Sequence, residues 1–339
     1  MKPKFLLSDI QEIVKLNKDF FERSNGCSFL ILGASGFVGS WMTQTILYAN
    51  EKLSLDLKVT AVCRSKKKFF SRVNCEPDSN LHVIESALNS IDGKVFMKDG
   101  GFDKILHAAT SIATGLDANK DSLLNSIDGT KKILQKLKKI EKKSKVIHLS
   151  SGAIYGESAR DNVLIDETTK IGDNLDEYSS CKLSIEHLIT EASNQGLIEG
   201  CNPRLFSFYG PNLPVDKHFA IGNFMRDAMC GNNIKIKSNP FTTRSYLYPT
   251  DLISWILAVW ENPPNYVTHI GSSQPLTMEA LAQSVSKIYG GIPILLENPS
   301  QKVSNYVPKT SVIEKNFKVI QRVSLEDGLS RWKKWLESI

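Results

Sequence analysis

The chain has 339 residues, of which 41% are hydrophobic and 23% charged, a composition that excludes disorder, collagen-like repeats and disulfide scaffolds. At roughly 150 residues per domain, two lobes around a large core are expected. Lys+Arg 42 against Asp+Glu 36 leaves a net charge of +6, too thin over such a surface to demand a nucleic-acid groove, and the basic clusters at Lys66 to Lys68, Lys131 to Lys145 and Lys333 to Lys334 read as solvated faces. The six cysteines form no CxxC pair and have no histidine at zinc spacing, so neither a metal site nor a disulfide framework is expected.

The first 26 residues carry charges every few positions and no apolar stretch long enough for a signal peptide or membrane span, which points to a cytoplasmic protein. Ser8 and Gln11 make a capping-box pattern, and Ile10, Ile13, Val14, Phe20 and Phe21 recur near helical spacing. An amphipathic helix is expected there, covering its own core or a second copy of the chain. Strand-like runs follow at Ser28 to Leu32, Leu57 to Cys63, Leu81 to Ile84, Lys104 to His107, Lys145 to Leu149 and Asn202 to Phe206, with helical patterns between most of them. Such alternation predicts an α/β fold, a doubly wound parallel sheet with helices on both faces. Past Gly210, prolines 211, 214, 240, 249, 263, 264 and 275 interrupt short elements, so residues 211–339 read as a smaller substrate lobe behind a dinucleotide-binding domain at 28–210 and a helical extension at 1–27.

Gly33-Ala34-Ser35-Gly36-Phe37-Val38-Gly39 lies where the first strand turns into a helix. Glycines at this spacing permit the tight turn and let the backbone approach a pyrophosphate at the helix N-terminus. At the end of the second strand, where an acidic residue would bind a ribose 2′-hydroxyl, the chain has Cys63-Arg64-Ser65. A guanidinium suits a 2′-phosphate, which favours NADP over NAD. Tyr178 and Lys182 stand four residues apart on one helix face, where an ammonium can stabilise a phenolate and make the tyrosine a usable acid or base near neutral pH. Upstream, the run from His148 to Gly156 places Ser151 at the carboxyl end of the sheet, the edge at which open α/β folds bind ligands.

Taken in order, GASGFVG, SSGAIYG and YSSCK resemble the motifs of the extended short-chain dehydrogenase/reductases, in particular the nucleotide-sugar epimerases, dehydratases and reductases. His107-Ala108-Ala109 resembles the family's segment beside the cofactor, and Asn125 to Thr130 its NxxxGT helix motif; Asn125 also has a plain helix-packing reading. Pro203 to Pro211 resembles the strand leading into the substrate lobe, and Arg244 to Asp251 the RDFIYVDD motif. The resemblance implies a Rossmann-type fold with a smaller C-terminal α/β lobe. It implies Tyr178 as acid/base, Lys182 bonding the nicotinamide ribose and keeping Tyr178 acidic, Ser151 bonding the reacting oxygen, and Arg244 holding the nucleotide diphosphate. Ser207 stands where many relatives have an asparagine near the substrate phosphate. Gly152-Ala153 replaces the Asp-Glu pair of the 4,6-dehydratases, which disfavours water elimination. The expected activity is NADPH-dependent reduction of a 4-keto nucleotide sugar or, alternatively, NAD-dependent 4-epimerisation. A non-catalytic dinucleotide-binding protein would have no reason to keep Ser151, Tyr178 and Lys182 together. The expected partners are a nucleotide sugar and a second copy of the chain, with no nucleic acid, membrane or metal.

Overall fold

The computed structural model describes residues 6–73, 75, 80–97, 100–110, 120–157, 161, 163–217, 219–297 and 302–338; residues 1–5 of the N-terminal segment lie outside them. In chain order the elements are α1 Leu7–Leu16, α2 Lys18–Arg23, β1 Ser28–Leu32, α3 Phe37–Lys52, β2 Lys58–Cys63, α4 Lys66–Arg72, β3 Leu81–Glu85, α5 Lys94–Met97, β4 Lys104–His107, α6 Lys120–Leu137, β5 Lys145–His148, β6 Ser150–Ser151, α7 Glu177–Asn194, β7 Glu199–Cys201 and β8 Arg204–Leu205. They continue with α8 Ala220–Met229, β9 Ile234–Ile236, β10 Thr243–Arg244, α9 Pro249–Glu261, β11 His269–Ile270, β12 Leu276–Thr277, α10 Met278–Ile288, β13 Ile294–Leu296, β14 Asn305–Tyr306, α11 Ser311–Phe317 and α12 Leu325–Glu337.

Six parallel strands in the order β3-β2-β1-β4-β5-β7 form the main sheet. Apolar side chains cover both its faces: α1, α3 and α9 pack on one, where Phe29 and Ile31 point, and α6 and α7 on the other, where Leu30 and Leu32 point. This is the Rossmann-type doubly wound sheet, its strand order reversing between β1 and β4 as the ligand crevice of such folds requires. Short strands gather after it into the sheets β12-β10-β14 and β13-β9, while β11-β8-β6 forms a third.

Two sequence expectations are corrected. The run from Asn202 to Phe206 is not the sixth strand: β7 at Glu199–Cys201 pairs with β5, and the chain then leaves the sheet so that β8 pairs with β6 and β11. Pro203 has no N–H for a ladder, and its carbonyl instead accepts from Ser150 N at 2.9 Å. The capping box also fails, because α1 starts before Ser8, with Leu6 at the N-cap and no side-chain cap bond. Its apolar face holds: Ile10, Ile13 and Val14 are buried in the chain's own core, and Asp9, wholly buried, accepts from Tyr248 Oη and Arg331 Nη1 at 2.8 Å each. Asp251, in the first turn of α9, accepts the backbone N–H groups of Arg322 and Val323 at 3.0 and 2.9 Å.

Candidate active site

The turn after β1 leaves no room for side chains. Gly33 has φ +85°, and a Cβ there would stand 2.7 Å from the Ala108 carbonyl oxygen; one on Gly39 would strike the Gly33 carbonyl. Gly36 caps α3, whose first turn carries no acidic residue. Above this turn lies a cavity of about 350 Å³ lined by Gly33, Ser35, Gly36, Arg64, Lys68, Ala108, Ala109 and Asn125 among others. A second, of about 530 Å³, is lined by Phe37, Val38, Gly39, Ser151, Tyr178, Lys182, Phe206, Ser207, Arg244 and Tyr306 among others. Gly36, Ala108 and Thr110 line both, so the two make one trough along the carboxyl edge of the sheet.

Arg64 is exposed at the end of β2, with Nη1 3.5 Å from Ser122 Oγ. Beside it α4 contributes two cations one turn apart. Lys68 lines the cavity, and burial together with the charges of Arg72, Arg64 and Lys217 holds its ammonium below the usual lysine range. Arg72 donates to the Ser35 carbonyl at 3.1 Å, bracing the glycine turn. Arg72 was not singled out from sequence and Lys68 was read only within the solvated cluster Lys66 to Lys68, although the four-residue spacing of 64, 68 and 72 was there to be read. Asn125 reaches the cavity and accepts from Asn89 Nδ2 at 2.7 Å, while Gly129 lets α6 press against Leu88, where a Cβ would meet the main chain at 2.7 Å. His107 does not line either cavity. Its ring is buried behind the sheet edge, against Thr130 Oγ1 at 2.8 Å and edge-on to His148 at 5.2 Å, with burial pushing it down to about 3.

The catalytic triplet is brought together by a break in the sheet. Leu149 falls between β5 and β6, leaving its carbonyl to accept from Lys182 Nζ at 2.6 Å. Two residues on, Ser151 Oγ caps the following turn, accepting from Ala153 N at 3.2 Å, and hydrogen-bonds Tyr178. Asp176 caps α7 through Ser179 N at 2.7 Å and so fixes the first turn, which carries Tyr178. Burial drives Tyr178 well above the ordinary tyrosine value, helped by neighbouring Tyr306 and opposed by the Ser151 hydrogen bond. Lys182, 4% exposed, is pushed down to about 8 by burial, and its Nζ sits 5.9 Å from the Tyr178 ring centre.

Arg244 closes the far wall from β10, the centre of its sheet; Nη1 donates to the Thr243 and Ser304 carbonyls at 2.8 and 2.9 Å, and the guanidinium stands 5.9 Å from the Tyr306 ring centre. Ser207 shares the cavity with it. Phe37 stacks on Phe208 at 4.9 Å. Sequence reading missed the aromatic wall of Phe206, Phe208, Phe219, Tyr246 and Tyr306, which comes from four separated segments. Among the described residues no group of three or more His, Cys, Asp or Glu side chains gathers as a metal site would need, and no helix is long and apolar enough to cross a membrane.

The trough fits a dinucleotide. Its glycine turn would reject any Cβ where a pyrophosphate must approach, and the Thr110 and Ser150 hydroxyls that line it are buried without a partner among the described residues. Comparison with known proteins agrees. Residues 29–271 match the model of the NAD dependent epimerase/dehydratase family, and the chain belongs to that family, one of enzymes acting on nucleotide sugars within the extended short-chain dehydrogenase/reductases. A UDP-N-acetyl-alpha-D-glucosaminuronate decarboxylase of Bacillus cytotoxicus is 25% identical over 328 residues, covering 91% of this chain and 98% of that one. UDP-glucuronic acid decarboxylase 6 of Arabidopsis thaliana is 23% identical, covering 92% and 89%. Among solved structures, the epimerase Mth375 of Methanothermobacter thermautotrophicus superposes with a TM-score of 0.82 at 18% identity, covering 96% of each chain. The UDP-N-acetylglucosamine 4-epimerase of Methanobrevibacter ruminantium does so at 0.81 and 21%, covering 92% and 98%.

Proposed function

We propose that this protein reduces a 4-keto nucleotide sugar by hydride transfer, with NADPH preferred over NADH. The observation that carries the reading is a single proton-passing pair, Ser151 and Tyr178, in a cavity whose described lining holds Arg244 and Ser207 but no carboxylate. Elimination needs a second acid, and redox at one carbon does not. Gly33, Ser35, Gly36 and Gly39 would hold the cofactor's pyrophosphate, Arg64 with Lys68 a 2′-phosphate, Ala108, Ala109 and Asn125 the neighbouring parts, and Lys182 the nicotinamide ribose. Once bound, the nicotinamide supplies or accepts the hydride. Tyr178 hands its proton to the substrate's carbonyl oxygen while Ser151 donates a hydrogen bond to that same oxygen. The Lys182 ammonium then stabilises the phenolate. Arg244 and Ser207 anchor the diphosphate away from the reacting carbon, so the sugar presents one face.

A second reading, 4-epimerisation with NAD retained through turnover, is favoured by the likeness to epimerases; one similar structure is a UDP-glucuronic acid 4-epimerase of Bacillus cereus in complex with its substrate and NAD, at 22% identity and a TM-score of 0.78. Incubating purified protein with UDP-, dTDP-, GDP- and CDP-sugars and their 4-keto forms, with NADPH or NADH, separates the two. A reductase consumes nicotinamide absorbance one-for-one with a new carbinol by NMR. An epimerase changes the sugar with no net absorbance change. The homodimer is part of the same proposal, checked by light scattering at twice the chain mass.

A further inference from the structure

Ser151 and Tyr178 reach the site on separate elements, and one buried guanidinium joins the two. Arg204, on β8, lies opposite Ser150 in the ladder between β8 and β6. Its Nε and Nη2 donate to the two carboxylate oxygens of Glu186 at 3.0 and 2.9 Å, and its Nη1 donates to Tyr155 Oη at 2.8 Å. Glu186 belongs to α7, four residues after Lys182 and eight after Tyr178, so the three side chains follow one another along one stripe of the helix. Tyr155 ends the 3₁₀ turn Gly152–Tyr155 that Ser151 caps. Asn202, two residues before Arg204, strengthens the tie to α7: its Nδ2 donates to the Glu186 carbonyl at 3.2 Å and to Thr190 Oγ1 at 3.0 Å.

The far end of the row is closed as well. Tyr155 Oη meets His269 Nε2 at 2.6 Å, and His269 Nδ1 faces the Lys309 carbonyl at 3.2 Å. A carbonyl can only accept, so Nδ1 carries the proton; burial pushes His269 down to about 3 and leaves Nε2 bare to accept from the phenol. Tyr155, pushed up to about 12 by burial, keeps its proton for that bond. His269 packs in turn against Phe206 of the cavity wall, 5.0 Å between ring centres. An ion pair in such a place is a poor source of stability. Arg204 and Glu186 are 5% and 6% exposed, and taking both charges out of water costs about what their attraction returns, so apolar side chains of similar volume often pack as well or better. What the fork does supply is register, because two parallel bonds to one carboxylate resist both sliding and rotation of α7 against β8. A slip on the order of 1 Å between Ser151 and Tyr178 would strain the hydrogen bond they share and can cost about a hundredfold in rate.

We propose that Arg204 is a positioning residue: by gripping Glu186 on the helix of Tyr178 and Tyr155 on the turn of Ser151, it holds the two proton-passing hydroxyls in register. This rests on the proton chemistry proposed above for that pair. The test is a double-mutant cycle on the full chain, with the nucleotide sugar and cofactor that the wild type turns over. Tyr155→Phe keeps the ring and removes the bond between turn and guanidinium; kcat is expected to fall about tenfold or more, with KM and cofactor affinity within about threefold of wild type. Ser151→Ala should lower kcat by itself, and in its background Tyr155→Phe should lower kcat by less than about twofold further, because the group being positioned is gone. A merely structural role makes the two losses multiply, and that outcome overturns the inference, as does an unchanged kcat in a folded Tyr155→Phe. If that variant does not fold, Arg204→Lys, which keeps the charge and loses the fork, is held to the same split of kcat from KM; if neither folds, the contact is a requirement of folding and the inference falls. Wild-type turnover in Ser151→Ala overturns the proposed function at its proton step, whereas a loss there combined with multiplying effects overturns the positioning role alone. Failure of the wild type to turn over any nucleotide sugar overturns both.

Discussion

The trough above the glycine turn is lined by main chain, mostly small side chains, the cations Arg64 and Lys68 and the carboxylate-bearing Asp121, whereas the cavity over Ser151 and Tyr178 is walled by aromatic side chains held from behind by buried polar contacts. A pyrophosphate-bearing cofactor is common to many enzymes, and close backbone approach with a few outlying charges suffices to hold it. The sugar must be told from its relatives, which takes rigid shape and a dry surface. Proton chemistry sits at the seam. Tyr178 is carried on α7, yet its acidity answers to the second cavity: burial and Tyr306 raise it, and only the Ser151 hydrogen bond opposes them.

Substitutions at the seam and in the two cavities should therefore fail differently. The largest effect is expected from Tyr178→Phe, which removes the proton and little else; kcat should fall about a thousandfold or more, with cofactor affinity within about twofold of wild type. Turnover near the wild-type rate would remove Tyr178 from the mechanism. In the sugar cavity, Arg244→Ala should raise KM by about one to two decades with much less change in kcat, since a diphosphate is held alike in ground and transition states. Lysine restores the charge but not the fork, and should recover only part of the loss. An unchanged KM in the alanine variant would place the nucleotide elsewhere. In the cofactor trough, Arg64→Ala should weaken NADPH by about one decade while NADH changes little, because Lys68 stays to meet a 2′-phosphate. Equal losses for the two cofactors would reduce Arg64 to a solvated surface charge.

The division also marks what could be read from the chain alone. Gly33, Gly36 and Gly39 announce themselves because the turn they make is local, and a Cβ at Gly33 or Gly39 would collide with backbone a few residues or one strand away. Tyr178 and Lys182 are one helical turn apart, and Ser151 stands just after an apolar run. The aromatic wall has no such signature: Tyr306 reaches the site only because β14 pairs with β10 in the register Arg244↔Tyr306. The sixth strand was misplaced because the run from Asn202 to Phe206 ends on apolar Leu205 and Phe206, although Pro203 interrupts it and the strand that pairs with β5, Glu199–Cys201, comes before it. The pairing of Tyr178 with Lys182 was legible as geometry, but not the burial that raises the phenol and lowers the ammonium. Four-residue spacing says that an ammonium is near, and burial, which sets both values, depends on packing from α6, β5 and β14 that no local pattern records.

Lys182 supplies the smallest and most revealing test. Its folded value of about 8 lies below the ordinary 10.5, so the unfolded chain binds the proton more tightly than the folded one. Between those two values the unfolded state holds more protons, and stability from this group rises with pH; below about 8 both states are charged and the cost of burying the ammonium is fully present. Lys182→Met removes that cost. Its urea midpoint should exceed that of wild type most at pH 7, and the gap should shrink as pH climbs from about 8 toward 10, even as the variant loses both cofactor affinity and turnover. A pH-independent gap would mean that the ammonium is not held at a disadvantage by its burial. Cofactor affinity equal to wild type would deny Lys182 its hold on the ribose, leaving it only the proton chemistry of Tyr178.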